Sequence, residues 1–538
     1  MNSKSIIGLL ILFILIISTL LFAAKKSDSV TEVFQKAVSS KGIKTVSIVN
    51  TNGDVEITSK KSGDIEITAT KKVFYRDRDK AEDFLDEIKI NVSTSATTLQ
   101  IRTIPPEEDY WDKFYRKKVT GYRVEYKIIM PENLDGEIEN KYGDVSVVNI
   151  KSILSNNHSG NTFVESINGN ATLTNSYGKV NISFIEGDLI SKNKSGNTTA
   201  KEIKGMADIK NTYGKVRLTK AGKNVIIENK SGNIDATFIE QDLEVSNSYG
   251  SVYVEEVGKE LKVYNKSGSV EVINIGSSAD LTTSYDGIQC QNIGGSLKVV
   301  NKSGTVTAEF INGRADIETS YNAIKAIDVN GPINVLNKSG SVYLEKIKGN
   351  VNIESSYDTI ELSAIIGSAE INNHSGKIIG KGIAGDLWGT TSYAAVTLDD
   401  VKGTIRVTNK SGKITVSGKP VSLDLSTTYA GIELLDVTCK TITAITRSGS
   451  IDADVTLPAN CDCRFETSYG DIDLTVPGST SAKISAIVPK GNRIRLTRGL
   501  SVTTTQLSKE AIEGNIGKGE GMIELSVERS GNINLSAK

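Results

Sequence analysis

Asparagine recurs at one position of a long repeat, and side-chain amides are the most regularly spaced polar groups in the chain. The steps are 36 residues long and place the residue at Asn157, Asn193, Asn229, Asn265, Asn301, Asn337, Asn373 and Asn409. Stacked amides can hydrogen-bond along a ladder and to the backbone. By register these side chains point inward, which predicts a structural ladder. Most of them also match the Asn-x-Ser glycosylation sequon, but that role needs exposed side chains.

Tyrosine recurs at the same 36-residue interval, midway between the asparagine motifs. The regular series is Tyr177, Tyr213, Tyr249, Tyr285, Tyr321, Tyr357 and Tyr393. A serine takes the equivalent position in each intervening motif, so neighbouring tyrosines are two repeats apart, or ~9.6 Å at the spacing of β-strands. Alternating large and small residues favour packing at a corner. A stacking platform for sugars is the alternative.

Residues that could catalyse a reaction do not cluster. The only histidines, His158 and His374, each replace the lysine of an Asn-Lys-Ser-Gly motif, and they are expected to face solvent at separate places. Carboxylates such as Glu255, Glu345 and Asp400 have no fixed register. The sequence therefore predicts no enzyme activity, no catalytic residue, and no cofactor or metal site.

The four cysteines offer one candidate cross-link. Cys439 and Cys461 take nearly the same place in neighbouring repeats, so a disulfide between them is expected in an oxidising compartment, with Cys463 as an alternative partner. Cys290 is expected to be a buried free thiol. The spacing contains no paired Cys-x-x-Cys motif with a nearby histidine, which disfavours zinc.

These residues must be positioned by an 18-residue unit that exists in two alternating forms, one with a Ser-Gly corner and one with a Tyr-Gly corner. Val252, Val254 and Val257 are apolar, followed by Leu261 and Val263, which is the pattern of short strands with one buried face. A fixed period of this kind is typical of repeat architectures. The fold class is therefore predicted as all-β, a single-chain β-solenoid (β-helix) in which stacked coils stabilise one another.

The regions outside the regular repeat predict caps. Residues 27–135 are assigned to an N-terminal cap with one short helix at about residues 78–90, residues 136–478 to the solenoid, and residues 479–538 to C-terminal coils and a cap. Caps are needed because open solenoid ends expose unpaired strand edges. Within the N-terminal cap, an aromatic loop provides either packing or a contact surface through Tyr110, Trp111, Phe114 and Tyr115.

The N-terminal segment, residues 1–26, contains an apolar run from Ile6 to Ala24 that is followed by two lysines. The run is long enough to cross a bilayer and longer than most signal-peptide cores. A cleaved signal peptide and an uncleaved membrane anchor both remain open. Either one predicts that the rest of the chain lies outside the cytoplasm, at the cell surface, in a periplasm or secreted.

Several of these features together resemble a known family. Paired early strands, an amphipathic helix, a strand that ends at Met130-Pro131, and serial Gly-Asp-Val and Ser-Gly-x-Val corners are similar to the bacterial β-solenoid family DUF4097, whose members are called "putative adhesins". The resemblance covers roughly residues 45–535 and implies the fold. Adhesion at a surface follows only by analogy, and the family brings no catalytic residues.

The sequence thus favours an extracytoplasmic structural or adhesin-like protein that presents an extended surface for cell-surface or matrix contact. A module that binds cell-wall glycan is the main alternative, through the aromatic loop or through the lysine row Lys194, Lys230, Lys266, Lys302 and Lys338. A polysaccharide lyase and a signalling ectodomain are weaker alternatives. Expected partners are a membrane, if the N-terminal segment is uncleaved, a surface glycan or protein, and further copies of the chain. With 63 basic and 64 acidic residues and no basic stripe, nucleic acid is not expected.

Overall fold

A computed structural model describes residues 28–107, 117–497 and 499–538. The chain divides into two compact units, Met1–Tyr213 and Gly214–Lys538. The predicted N-terminal segment 1–26 lies outside the described residues. So does the predicted contact loop with Tyr110, Trp111, Phe114 and Tyr115.

The first unit contains sixteen strands and one helix. The strands are β1 (Ser29–Val38), β2 (Thr45–Asn52), β3 (Val55–Lys60), β4 (Ile65–Tyr75), β5 (Lys89–Ser95), β6 (Thr98–Ile104), β7 (Val119–Pro131), β8 (Asp135–Tyr142), β9 (Val145–Val148), β10 (Ser152–Ser159), β11 (Thr162–Ile167), β12 (Ala171–Tyr177), β13 (Val180–Ile185), β14 (Leu189–Ser195), β15 (Thr198–Ile203) and β16 (Ala207–Tyr213) among the described residues, and the helix is α1 (Arg78–Glu87).

The coil pattern of the first unit begins inside the region predicted as a cap. Strands β2 and β3 form a coil, and they pair in parallel with β8 and β9 of the next coil, with Thr45 opposite Asp135 and Val55 opposite Val145. The intervening residues cover this first coil, because β6 pairs with β2 and β7 pairs with β3. Strands β4 and β1 then extend the sheet from β7 in antiparallel order. An insertion between the first and second coils therefore closes this end.

Helix α1 confirms the amphipathic pattern. Its buried face consists of Ala81, Phe84 and Leu85, and Asp77 caps its first turn by accepting a hydrogen bond from the Lys80 backbone N–H. These apolar residues recur at helical spacing, so the helix covers the sheet with one stripe. At the C-terminal end of the helix, the buried Lys71 Nζ donates to the carbonyl oxygens of Leu85 and Ile88. The negative end of the helix dipole stabilises this positive charge.

The second unit continues with strands alone in its described residues. They are β17 (Val216–Ala221), β18 (Val225–Ser231), β19 (Ile234–Ile239), β20 (Leu243–Tyr249), β21 (Val252–Val257), β22 (Leu261–Ser267), β23 (Val270–Ile275), β24 (Ala279–Thr283), β25 (Ile288–Ile293), β26 (Leu297–Asn301), β27 (Val306–Ile311), β28 (Ala315–Thr319), β29 (Ile324–Val329), β30 (Ile333–Asn337), β31 (Val342–Ile347), β32 (Val351–Ser355), β33 (Ile360–Ile365), β34 (Ala369–Asn373), β35 (Ile378–Ile383), β36 (Leu387–Thr391), β37 (Val396–Val401), β38 (Thr404–Asn409), β39 (Ile414–Ser417), β40 (Ser422–Thr427), β41 (Ile432–Thr438), β42 (Thr441–Thr446), β43 (Ile451–Thr456), β44 (Asp462–Thr467), β45 (Ile472–Val476), β46 (Ala482–Ile487), β47 (Ile494–Leu496), β48 (Val502–Leu507), β49 (Ala511–Ile516), β50 (Gly521–Val527) and β51 (Ile533–Ala537).

The predicted β-solenoid is confirmed by the strand pairings of this unit. Each regular coil contributes one strand to each of two parallel sheets. Leu243 of β20 lies opposite Leu261 of β22, and Val252 of β21 lies opposite Val270 of β23, so like positions stack with an 18-residue offset. The corner forms alternate in the same register, because Tyr249 pairs with Ser267.

The core lies between the two sheets, where alternate side chains point inward. Val252, Val254 and Val257 are each at most 1% exposed. The step from Val254 to Val257 breaks the two-residue alternation, because Glu256 between them has a left-handed φ of 58°. Residues at the same position in other coils of this unit, such as Asn274 and Asp328, share this conformation. The left-handed residue lets both valines face the core.

The second corner of each coil also contains glycines, but they do not supply unusual backbone angles. Gly258, Gly276 and Gly313 lie there, and none of them has a positive φ. A Cβ on Gly258 would lie 2.3 Å from the Glu240 carbonyl oxygen of the preceding coil. These glycines therefore allow coils to approach closely, and non-glycine residues such as Glu256 make the turn.

The last coil of the second unit is covered by an insertion, as the first coil of the first unit is. The last coil, β50 and β51, pairs directly with β44 and β45, although residues 477–520 separate them in sequence. Within that insertion, β46 pairs with β50 and β47 pairs with β51. Gly531 has a φ of +147°, so the Ser530-Gly531 corner retains the geometry of the repeat.

No helix in the described parts of the chain is both long and apolar enough to cross a membrane.

Gly268 tests the requirement for close approach at the Ser-Gly corner. Its φ is +118°, and an added Cβ would lie 2.2 Å from the Gly250 carbonyl oxygen. We expect Gly268→Ala to lower the free energy of unfolding by about 3 kcal/mol and to reduce the thermal unfolding midpoint measured by circular dichroism.

Gly389→Ala is the matched control. Gly389 is buried, but its added Cβ would make only ordinary contact, 3.5 Å from Leu387 Cδ2. We expect the free energy of unfolding of Gly389→Ala to stay within about 1 kcal/mol of that of the unmodified chain, because alanine fits this strand position without strain. Equal midpoints for the two variants would contradict the role assigned to the corner glycine.

Candidate functional site

The predicted asparagines lie inside both units. Every member from Asn157 to Asn409 is at most 5% exposed, and Asn50, Asn140 and Asn247 occupy the same buried position in other coils. Asn50 stands opposite Asn140 in the strand pairing, so the series starts within the region that the sequence assigned to the cap. Buried amides cannot accept a glycan in the folded chain.

Two kinds of corner use these amides differently. Asn265 Nδ2 donates to the carbonyl oxygens of Gly250 and Gly268, at 3.0 and 2.8 Å, so one amide joins two successive corners. Its Oδ1 is buried without a protein partner.

In the later coils of the second unit the amide also accepts. Asn409 Nδ2 donates to the Ala394 carbonyl oxygen at 2.8 Å, and its Oδ1 accepts from the backbone N–H groups of Ser411 and Gly412. Gly412 has no positive φ, unlike Gly268. The corner conformation thus changes along this unit, while each amide keeps its bond to the preceding coil.

The corner tyrosines are placed differently from the packing role that the sequence favoured. Tyr249 is 52% exposed and Tyr357 is 65% exposed, and the others in the series fall between 47% and 60%. Strict alternation from the inward Asn247 would point Tyr249 inward. The chain turns at Gly250, whose φ is +117°, so the ring lies outside the core. About half of each ring is available for contact.

Cationic side chains lie between the tyrosines. Lys194 Nζ is 5.9 Å from the centre of the Tyr177 ring, and the His374 ring centre is 6.3 Å from that of Tyr393. Lys194 and His374 thus each contact a tyrosine of a neighbouring coil. In the second unit we call the following series the corner row: Lys230, Tyr249, Lys266, Tyr285, Lys302, Tyr321, Lys338, Tyr357, His374, Tyr393, Lys410, Tyr429, Arg447 and Tyr469.

The corner row carries unpaired positive charge. Its lysines and Arg447 are exposed and form no ion pair with another described residue, whereas many cations on the two sheet faces do. Lys298 pairs with Asp280, for example, and Arg406 pairs with Asp424. In the second unit, the two residues that follow each corner tyrosine or serine include few acids, namely Asp286, Asp358 and Asp471. Positive charge is thus concentrated on the corner, although the whole chain has a net charge of −1.

The cysteines correct another expectation. Cys290, Cys439, Cys461 and Cys463 are all buried free thiols, so the expected disulfide between Cys439 and Cys461 is not formed. Cys439 Sγ is directed at the Thr441 carbonyl oxygen, 3.2 Å away. A hydrogen bond with Cys463 lowers the pKa of Cys461 to about 7 and raises that of Cys463. Cys461 Sγ is directed at the Met522 carbonyl oxygen, 3.9 Å away, and not at Cys439.

Each of the two histidines contacts corner tyrosines of its own unit. His158 stands between the rings of Tyr142 and Tyr177, with edge contacts at 6.3 and 5.7 Å. His374 has an equivalent place beside Tyr393 in the second unit. No group of three His, Cys, Asp or Glu side chains among the described residues could hold a metal ion.

Comparisons with known proteins agree with the coil architecture. The model of the Toastrack DUF4097 family matches residues 43–261, so the resemblance seen in the sequence is confirmed over that range, although it was expected to extend to about residue 535. No curated protein matches the chain.

Two solved structures share low identity with it. One is named "a putative cell adhesion protein", from Clostridium sporogenes, with 14% identity, coverage of 54% of this chain and 100% of that chain, and a TM-score of 0.16. The other is named "a putative adhesin", from Bacteroides fragilis, with 15% identity, coverage of 60% and 97%, and a TM-score of 0.14. TM-scores this low leave the fold to be judged from the strand pairings of the chain itself.

Asn409 tests the contribution of the buried amides. Asn409→Leu removes the bond to Ala394 and leaves the Gly412 N–H without its acceptor, whereas the Ser411 N–H keeps its bond to the Ser392 carbonyl oxygen. We therefore expect a loss of about 2–4 kcal/mol of unfolding free energy. Denaturant unfolding followed by circular dichroism measures it.

Asn409→Thr is the control. At the equivalent position, Thr446 Oγ1 donates to the Ala430 carbonyl oxygen and accepts from the Gly449 N–H. The threonine variant should therefore lose about 1 kcal/mol or less. If leucine is tolerated as well as threonine, the amide bonds do not hold the corners together.

Proposed function

We propose that this chain, whose residues 43–261 match the Toastrack DUF4097 family, is a non-enzymatic, adhesin-like protein that works outside the cytoplasm. The apolar run from Ile6 to Ala24 supports export, because a segment of this length directs or anchors a chain at a membrane. The contact surface in this proposal is the corner row.

The observation that carries the proposal is the regular exposure of large aromatic side chains. Folding usually hides such side chains, and a tyrosine has an apolar ring with a polar hydroxyl that suits contact surfaces. Tyr285, Tyr321 and Tyr357 are 59%, 60% and 65% exposed at equivalent positions two coils apart. The fold does not need tyrosine there, since the same corner position holds serine in alternate coils.

Repetition makes weak contacts effective. One exposed cation–aromatic contact is worth ~0.5–1 kcal/mol, too little for stable binding alone. A rigid series of such contacts converts each later binding event into an intramolecular one, and linking sites raises avidity by ~10²–10⁴. The buried amides and the strand pairings hold the row in a fixed register, which keeps its contacts available together.

The absence of a chemical centre in the described residues supports the same conclusion. His374 lies against a tyrosine and faces solvent, and carboxylates such as Asp280, Glu309 and Glu433 are engaged with neighbouring cations. Catalysis needs groups that converge within hydrogen-bond reach of one substrate. A contact surface needs only regular exposure.

Serine substitutions at the corner test the proposal, because serine already occupies this position in alternate coils and should not disturb the fold. We expect Tyr249/Tyr285/Tyr321→Ser to reduce saturable binding of the full chain, purified in mild detergent, to intact bacterial cells by about tenfold. Binding is measured by flow cytometry with a fluorescently labelled chain.

Tyr264→Ser is the control, because Tyr264 is 52% exposed on a sheet face away from the corner, and Ser246 stands at the matching position of the preceding coil. Its binding should stay within about twofold of that of the unmodified chain. Full retention of binding by the triple corner variant would exclude the corner row as the contact surface.

A further inference from the structure

We propose that the corner row binds a linear acidic polysaccharide that carries one carboxylate per disaccharide, with one disaccharide along every two coils. This inference rests on the proposed function for the location of the surface and goes beyond it by naming the ligand class. Three features of the row lead to it: the spacing of the rings, the unpaired cations between them, and the shape of the surface.

The ring spacing fits a sugar repeat. Successive tyrosines of the row are separated by two strand spacings, ~9.6 Å, which is about the length of one disaccharide in an extended β-linked glycan. The apolar C–H face of a pyranose ring can lie on an exposed aromatic ring, while its hydroxyl groups remain hydrated. A tyrosine that is half exposed at every second coil offers such a face once per disaccharide.

Lysine or arginine supplies one charge in every interval of the row except the one that holds His374. Lys266 lies between Tyr249 and Tyr285, Lys302 follows Tyr285, and neither lysine has an ion-pair partner among the described residues. An unpaired ammonium group is available to a ligand carboxylate, whereas the face cations Lys298 and Arg406 already contact carboxylates. The row therefore matches a ligand with one anion per repeat.

The cation and the ring are close enough to act on one repeat. At the equivalent positions of the first unit, Lys194 Nζ is 5.9 Å from the centre of the Tyr177 ring, and in this unit the His374 ring centre is 6.3 Å from that of Tyr393. A sugar stacked on the tyrosine would thus place a carboxylate of the same disaccharide within reach of the neighbouring cation. Cation–aromatic contact also holds the ring and the charge in a fixed relation before the ligand arrives.

Charge density and shape favour a glycan over a nucleic acid, which also combines rings with negative charge. A nucleic-acid strand in a duplex carries a phosphate every ~3.4 Å, so one cation every ~9.6 Å would leave most phosphates without a partner. Proteins that bind single strands use a basic groove. The corner row instead stands on an outer corner of a unit whose faces contain many paired charges.

The test uses immobilised hyaluronan, a linear glycan with one carboxylate per disaccharide, and the full chain purified in mild detergent, followed by biolayer interferometry. We expect saturable binding that weakens with added salt. Lys266/Lys302/Lys338→Ser should weaken it by about tenfold, and Tyr249/Tyr285/Tyr321→Ser by a similar factor. Serine stands at both positions in alternate coils, so the variants should keep their unfolding midpoints.

Lys262/Lys298/Lys325→Ser is the control for net charge, since it removes the same number of exposed lysines from the sheet faces. Its binding should change by less than about twofold. If it weakens binding as much as the corner lysine variant does, the effect is general electrostatics and the inference is wrong. Neutral dextran should not compete for the surface, and neither should single-stranded poly-dT. Equal competition by poly-dT would overturn the inference in favour of a nucleic acid.

The hyaluronan test and the test of cell binding can fail independently. If hyaluronan does not bind while the corner tyrosines still support binding to cells, the ligand class is wrong and the contact surface stands. If neither hyaluronan nor cells bind through the corner row, both proposals fail.

Discussion

The closeness of successive coils at the corners is the constraint on which the rest of the structure depends. Parallel strands stack ~4.8 Å apart, and the turns between the two sheets must stack at the same distance. At Gly268 a single added carbon would lie 2.2 Å from a backbone oxygen of the preceding coil. Glycine keeps the repeat at one strand spacing there, and this spacing sets both the stacking of the core and the interval between exposed residues.

The interior and the exterior of the coil obey different periods. Inside, the buried pattern repeats every 18 residues, with an amide or a hydroxyl at the corner position of each regular coil. Some of these groups bond the preceding corner, as Asn265 and Thr391 do, and others, such as the Thr283 hydroxyl, have no protein partner. Outside, at the corner, the period is 36 residues, because tyrosine and serine alternate at a position where the fold accepts either one. A longer period that the core does not require is a sign of function, and the proposed contact surface follows this longer period.

Much of the fold could be predicted from the sequence, because strand alternation and a fixed period are direct consequences of buried and exposed faces. The coil, the inward asparagines and helix α1 follow from such patterns.

The left-handed turn at Glu256 could not be predicted by propensity, since glutamate rarely adopts that angle and the neighbouring Gly258 was the more obvious candidate. The exposure of Tyr249 was missed because the inward–outward alternation of β20 fails at its last residue, where the corner redirects the side chain. Cys439 and Cys461 are displaced by one residue in the strand register, because Thr441 pairs with Asp462, and spacing alone cannot reveal this.

If the 18-residue period maintains the fold and the 36-residue period maintains the proposed contact surface, two deletions can separate these two roles. Removal of residues 250–267 joins Tyr249 to Gly268, preserves the coil register and brings two tyrosine corners together. Removal of residues 232–267 joins Ser231 to Gly268 and preserves both the register and the alternation. We expect both chains to unfold at similar temperatures. The longer deletion should bind cells several-fold better than the shorter one, even though it removes more of the corner row. Stronger binding by the chain with the shorter deletion would contradict the account, because contact would then depend on the number of exposed residues and not on their spacing.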